Sequence, residues 1–407
     1  MKRRRFLRTG LAAASLPLLG GMPFANSALA VTTGNSARPR LRDLGIAIGT
    51  LPTGKQNAIT DVPGVRVGHA TLIRGEGPLV PGEGPIRTGV TAVLPREDVY
   101  GHPVRAADWT LNGNGEFTGL GPVRRHGLLG SPIYFTDTSC IGTVHDAAMG
   151  HLLEGSPQPL SGAFKPEPVV GETWAGFLND NAGRHVREPE VRAALAEAVS
   201  GNGEVGEGSV GGGTGMRAYG FKAGIGTASR TIVCTAEDGA GTQTRQYTVG
   251  TIVQANHGRR HQLTVEGVPV GSEIPDLKPT SGAAGGNSLL IAIATDAPLL
   301  PVQLQRLCKR AALGMARTGG ISTHGSGDLV IAFSTAATET SGHVFEGEML
   351  HFSQITHVHQ AVVEATEEAI LNAIVAAQTM TGRDGNRIFA LPLDRFVEVM
   401  REHGRLK

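Results

Sequence analysis

A layered α/β sandwich is the fold class this sequence predicts, and three observations carry it. Short apolar strands separated by glycine turns recur along the chain: it holds 58 glycines in 407 residues, against only 4% aromatics. That is roughly twice the ordinary glycine usage of about 7%. One-faced helical periodicities follow strands in the C-terminal part of the chain. Helices and strands thus share one sheet-based body with frequent hairpins, which fits stacked layers. No Gly-X-Y period is present, so the glycines mark tight turns and close backbone approaches rather than collagen.

The first element is a targeting segment. Lys2-Arg3-Arg4-Arg5-Phe6-Leu7-Arg8 resembles a twin-arginine export signal, an apolar stretch runs from Gly10 to Leu19, and Ala28-Leu29-Ala30 suits a signal peptidase. Residues 1–30 are therefore expected to be removed after engaging the twin-arginine machinery, leaving a periplasmic chain. Their loss takes Lys2, Arg3, Arg4, Arg5 and Arg8 and no acid, which turns the formal charge from +1 to −4. No basic stripe remains for nucleic acid. The other apolar runs are too short to span a bilayer. Cys140, Cys234 and Cys308 are odd in number and scattered. They form neither a disulfide framework nor a zinc motif and read as core thiols.

After a polar linker over 32–40, Ile59 to His69 alternates and turns, and Gly89–Leu94 is a strand. His69 at a strand end reads as structural. Residues 155–170 are punctuated by proline and glycine and read as loop. A helix is predicted from Pro189 to Val199, with proline near its start and Gly201 at its end. Gly211-Gly212-Gly213-Thr214-Gly215 gives part of a dinucleotide fingerprint. It lacks the preceding parallel strand and the acidic partner, so a backbone turn beside the active site is expected instead. Strands follow at Thr231–Thr235 and Tyr247–Ala255. Leu289–Ala294 is a buried strand. A helix from Pro301 places Leu304, Leu307, Cys308, Ala311 and Met315 on one face, and Leu329–Phe333 is another strand. A long helix is predicted from Thr356 to Met380. His357 and His359 face apart on it, which argues against a metal pair.

The chemistry centres on Ser288. It follows Gly282-Ala283-Ala284-Gly285-Gly286-Asn287 and opens an apolar strand. If the chain broke before it, Ser288 would own both a hydroxyl and a free α-amine. Such an amine can serve as general base for its own residue's nucleophile. Glycines in the preceding loop permit the geometry in which a hydroxyl attacks the carbonyl before it.

Three further segments keep Ser288 company: Thr248 to Gly258 containing Asn256, Gly325-Ser326-Gly327-Asp328, and Gly171-Glu172-Thr173-Trp174. Together with Asp61-Val62-Pro63-Gly64-Val65 and Asn287-Ser288, they resemble the family of L-aminopeptidase/D-esterases and β-peptidyl aminopeptidases over nearly the whole mature chain. The resemblance implies a four-layer αββα sandwich like that of N-terminal nucleophile hydrolases but with different connectivity. It also implies self-cleavage between Asn287 and Ser288, giving fragments 31–287 and 288–407 that associate as a homo-oligomer, often a tetramer. Carried over by position, Ser288 is the nucleophile. Ser326 and Asp328 support it, and Asn256 stabilises the oxyanion with its side-chain amide. Glu172 holds the substrate's ammonium, which makes the enzyme act from the N-terminus. Substrates would be short peptides, amides or esters of β-, D- or small L-amino acids, with no metal or organic cofactor.

This chain departs from the pattern in one place. Relatives commonly read Glu-Thr-Tyr-Asp where it reads Glu172-Thr173-Trp174-Ala175. Trp174 offers an indole N–H in place of the hydroxyl that assists the oxyanion hole in those relatives. Ala175 removes a charge near the ammonium site. Two rival readings exist: an acyltransferase of the ornithine acetyltransferase-like architecture, and an exported ligand-binding protein with a decayed site. The acyltransferases use threonine and work in the cytosol; a decayed site would have no reason to cut itself.

Overall fold

Glycine turns and alternating apolar strands assemble into two sheets packed face to face. The computed structural model describes residues 38–406 except 156–163, 239–240, 281–286, 338 and 342. The targeting segment and the glycine loop before Asn287 lie outside the described residues. In chain order the principal strands are β1 (Arg66–Arg74), β2 (Ile86–Leu94), β3 (Val104–Gly113), β4 (Leu128–Leu129), β5 (Ile133–Asp137) and β6 (Val169–Thr173). Then come the short pair β7 (Arg217–Ala218) and β8 (Phe221–Lys222), the long hairpin β9 (Ile225–Asp238) and β10 (Gly241–Asn256), β11 (Ser288–Thr295) and β12 (Gly327–Ser334). The helices are α1 (Leu120–His126), α2 (Ile141–Gly155), α3 (Glu188–Ser200), α4 (Val270–Glu273), α5 (Pro301–Arg317), α6 (Ile355–Val375) and α7 (Leu393–Glu402).

One sheet has the order β1-β2-β5-β6 and the other β4-β3-β12-β11-β10-β9. The larger sheet is antiparallel except between β11 and β12. Parallel neighbours need a crossover, and α5 supplies it. β11 alternates as a strand buried on both faces must: Leu289, Ile291 and Ile293 join the core under α5 and α6, while Leu290, Ala292 and Ala294 join the core between the sheets. A third core, with Val90, Ala92, Val144 and Ala194, lies between the smaller sheet and helices α2 and α3. Three cores between four layers make the αββα order that the resemblance implies.

The composition follows from this packing. A Cβ on Gly226 of β9 would fall 2.0 Å from the Ala369 carbonyl oxygen of α6, and one on Gly68 of β1 would fall 2.2 Å from that of Ala194 in α3. Helices α6 and α3 therefore rest their backbones on sheet glycines. All three cysteines are buried and free. Among the described residues no helix is long and apolar enough to cross a membrane.

Several boundaries differ from expectation. The strands expected at 231–235 and 247–255 are one long hairpin. Ile59–Asp61 is a 3-10 turn, so that stretch becomes strand only at Arg66. The stretch expected as loop to 170 already enters β6 at Val169. The last long helix ends at Val375 rather than Met380, because Met380 and Thr381 pair with Ile388 and Arg387 instead. Helix α2 went unpredicted. Its apolar positions Val144, Ala148 and Leu152 are i, i+4, i+8, but Gly142 and Gly150 weaken the local preference.

Candidate active site

Register brings the sequence motifs together at one end of the larger sheet. Ser288 is the first residue of β11. Its antiparallel partner is Asn256, the last residue of β10, and its parallel partner is Gly327, the first of β12. The Gly327 N–H donates to the Asn287 carbonyl at 2.9 Å and lies 3.4 Å from Ser288 Oγ. The carbonyl that precedes Ser288 is thus already held by a backbone donor. Only glycine fits at 327, since a Cβ there would lie 2.6 Å from the Asn114 carbonyl oxygen. At Gly325, by contrast, a Cβ would meet only the Asn287 side chain at 3.5 Å, so the tight approach in this turn belongs to Gly327.

Ser326 Oγ donates to Asp328 Oδ1 at 2.7 Å, and Ser322 donates to the other carboxylate oxygen. Burial pushes the Asp328 carboxyl above its ordinary range, while the two hydroxyls and the Leu289 N–H oppose that shift. No hydrogen bond joins Ser326 to Ser288 among the described residues, so Ser326 is oriented by Asp328 beside Ser288. His257, next to Asn256, is buried with neither ring nitrogen bonded. Burial pulls its pKa down to about 3. The ring is therefore neutral and packs edge-on to Tyr219 at 5.0 Å.

Asn256 is fixed at both ends of its amide. Oδ1 accepts from the Arg217 N–H at 3.1 Å, and Nδ2 donates to the Trp174 carbonyl at 3.2 Å. An amide nitrogen has two N–H bonds. The second has no partner among the described residues. Glu172, at the end of β6 in the opposite sheet, accepts from the Glu116 N–H at 3.2 Å and from the Thr138 hydroxyl. Burial pushes its carboxyl up, and these two donors pull it back. Trp174 follows on a loop pinned by Asp137 Oδ1, which accepts the Ala175 N–H at 2.8 Å. Its side chain is 49% exposed and rests against Gly176. Trp174 thus gives its carbonyl to Asn256, while its ring is exposed.

Sequence reasoning missed the residues that hold this end of the sheet. Asn112 Nδ2 donates to the Ser326 carbonyl at 2.7 Å and to that of Thr323 at 2.9 Å. Asn114 Nδ2 donates to the Gly325 carbonyl at 2.8 Å. The run Asn112-Gly113-Asn114-Gly115 is a plain turn signal. It marks the position without disclosing the partner. Ser322, Thr138 and Arg217 carried no signal at all. The glycine run 211–215 does pass beside the site as a 3-10 turn, since Arg217 beyond it holds Asn256. His69 bonds Thr91 on the smaller sheet. His357 and His359 belong to no group of three or more metal-ligating residues among those described.

The sequence profile of peptidase family S58 matches residues 57–388. A β-peptidyl aminopeptidase of Sphingosinicella microcystinivorans is 43% identical over 405 residues, covering 96% of this chain and 97% of that protein. Among solved structures, the L-aminopeptidase D-Ala-esterase/amidase of Ochrobactrum anthropi aligns with a TM-score of 0.80 at 41% identity, covering 91% of this chain and 100% of that one. It is described as a prototype for the serine aminopeptidases and a variant of the Ntn hydrolase fold. A Burkholderia β-aminopeptidase aligns with a TM-score of 0.78 at 42% identity, covering 90% and 99%.

Proposed function

Since the chain belongs to peptidase family S58 and is an aminopeptidase, we propose that it first cuts its own Asn287–Ser288 bond and then works through Ser288. The observation that carries this reading is the ladder Asn256–Ser288–Gly327, with the Asn287 carbonyl already on the Gly327 N–H. In self-cleavage, Ser288 Oγ attacks the Asn287 carbonyl carbon and its proton passes to the departing amide nitrogen. That step frees the Ser288 α-amine and leaves an ester on Oγ, which water hydrolyses to restore the Ser288 hydroxyl and release the Asn287 carboxylate. Negative charge on the carbonyl oxygen is stabilised by the Gly327 N–H while it develops.

In the mature enzyme the Ser288 amine, or Ser326 backed by Asp328, takes the hydroxyl proton as Ser288 attacks the substrate's carbonyl. Asn256 stabilises the oxyanion through its second amide N–H. Glu172 binds the substrate's ammonium, which restricts attack to the first residue. The leaving amine departs with the proton, and water hydrolyses the acyl-serine. The chemistry uses no metal or organic cofactor. Substrates are short peptides, amino-acid amides or esters with small β-, D- or L-residues first, β-residues favoured. The twin-arginine-like segment supports a periplasmic enzyme, in which fragments 31–287 and 288–407 remain together in a homo-oligomer, in our reading a tetramer.

The test is hydrolysis of a β-alanyl dipeptide beside its N-acetylated form. We expect free β-alanine from the first only. Equal cleavage of both would contradict the Glu172 assignment, and internal cleavage of longer peptides would contradict action from the N-terminus.

A further inference from the structure

Arg217 is a buried cation that the chemistry above does not use. Its side chain makes no hydrogen bond or ion pair with another described residue, and Nη1 is buried without a partner. The residue is 6% exposed, and its guanidinium sits 4.6 Å over the Phe177 ring. Burial pulls its pKa down to about 10, so it remains charged at neutral pH. A buried, unpaired charge is costly unless something arrives to pair it. The glycine loop ahead of Asn287 contains no acid that could do so.

Its position is informative. The Arg217 backbone N–H holds Asn256, so the residue lies on the β10 side of Ser288. Glu172 lies on the β12 side: a Cβ on Gly115 would be 3.3 Å from Glu172 Oε1 and 3.1 Å from Gly327 Cα. Strands stand about 4.8 Å apart. A peptide with its ammonium at Glu172 and its first carbonyl over Ser288 therefore sends its leaving part towards Asn256 and Arg217.

We propose that Arg217 is a carboxylate subsite for the leaving part of the substrate, selecting short peptides with a free C-terminus over amides and esters. The inference rests on the aminopeptidase reading and names its substrate class. A guanidinium presents paired N–H donors to a carboxylate, and the Phe177 ring 4.6 Å beneath it gives it a cation–π contact.

The experiment compares a β-alanyl dipeptide with its C-terminal amide, in the wild-type protein and in Arg217→Met. The wild type should favour the free carboxylate in kcat/KM by roughly ten- to a hundredfold, the usual worth of a charge-assisted pair. Arg217→Met should bring the ratio close to one. Should that variant fail to fold, Arg217→Lys is expected to keep a reduced preference, having the charge without the fork. A ratio near one in the wild type, or a ratio unmoved by Arg217→Met, overturns the proposal. So does destabilisation of the cut but not the uncut chain by Arg217→Met with both peptides treated alike, because Arg217 would then be serving the Asn287 carboxylate. If neither peptide is cleaved, the functional reading fails instead. Calorimetric titration of the two intact peptides then still decides: tighter binding of the carboxylate supports the subsite, and equal affinity overturns it.

Discussion

Asn256 has one amide N–H spent on Trp174 and one to spare, and we propose the spare one as the oxyanion donor. Replacing it with alanine should lower kcat about 10²- to 10³-fold with little change in KM, the usual worth of one such donor; steady-state kinetics on a β-alanyl anilide checks this. Glu172 makes a prediction in pH. Burial holds its carboxyl above the ordinary range, and only the ionised form binds ammonium. As pH falls through that raised value the charge is lost, so KM should rise on the acid side, beginning at a higher pH than for an exposed glutamate. Glu172→Gln should raise KM throughout and flatten its pH dependence. The site residues proposed for catalysis and ammonium binding entered through the family resemblance, which their short glycine-bounded segments carried; each segment alone reads as a turn. Arg217, Ser322 and Thr138 carried no such signal. Each acts through a partner more than thirty residues away, except Ser322, whose bond to Asp328 hides in an unremarkable loop.

Strands and helices were read from periodicity, and the two most regular stretches, β11 and α5, came out where expected. What periodicity could not reveal was why so many glycines lie inside strands. Gly327 explains the case nearest the chemistry. A Cβ there would collide with Asn114 and Gly115, so Gly327→Ala should push the β12 start away from Ser288. We expect slowed or lost self-cleavage together with a lower melting temperature, read by gel and by thermal unfolding. An alanine at Gly325, with only a flexible side chain at 3.5 Å, should be processed nearly as the parent is. Helix α2 shows the reverse problem: its glycines masked a helix that packing against the smaller sheet stabilises.

Across the whole molecule, the two proposed fragments are held by a buried charge cluster. Arg230 of β9 reaches Glu364 at 3.1 Å and Glu368 at 2.6 Å in α6, and Arg42 and Asn57 also bond Glu368. The basic members belong to the first fragment and the acids to the second, so the cluster should keep them joined after the cut. Arg230→Met leaves Glu364 without a cation and Glu368 with Arg42 alone, and removing one partner of such a set typically costs about 3–5 kcal/mol. Denaturant unfolding of the processed protein should register that loss, with earlier separation of the fragments. The four-layer order was legible only through the resemblance, since element spacing alone gives a layered sandwich without saying which strands pair. The central claim is that Ser288 cuts the chain and then serves as its nucleophile. Intact-mass spectra of the purified protein and of Ser288→Ala test it most directly. We predict two fragments from the parent, the smaller beginning at Ser288, and one uncut chain from the variant. A parent that stays whole, or a variant that is still cut before residue 288, would contradict the account.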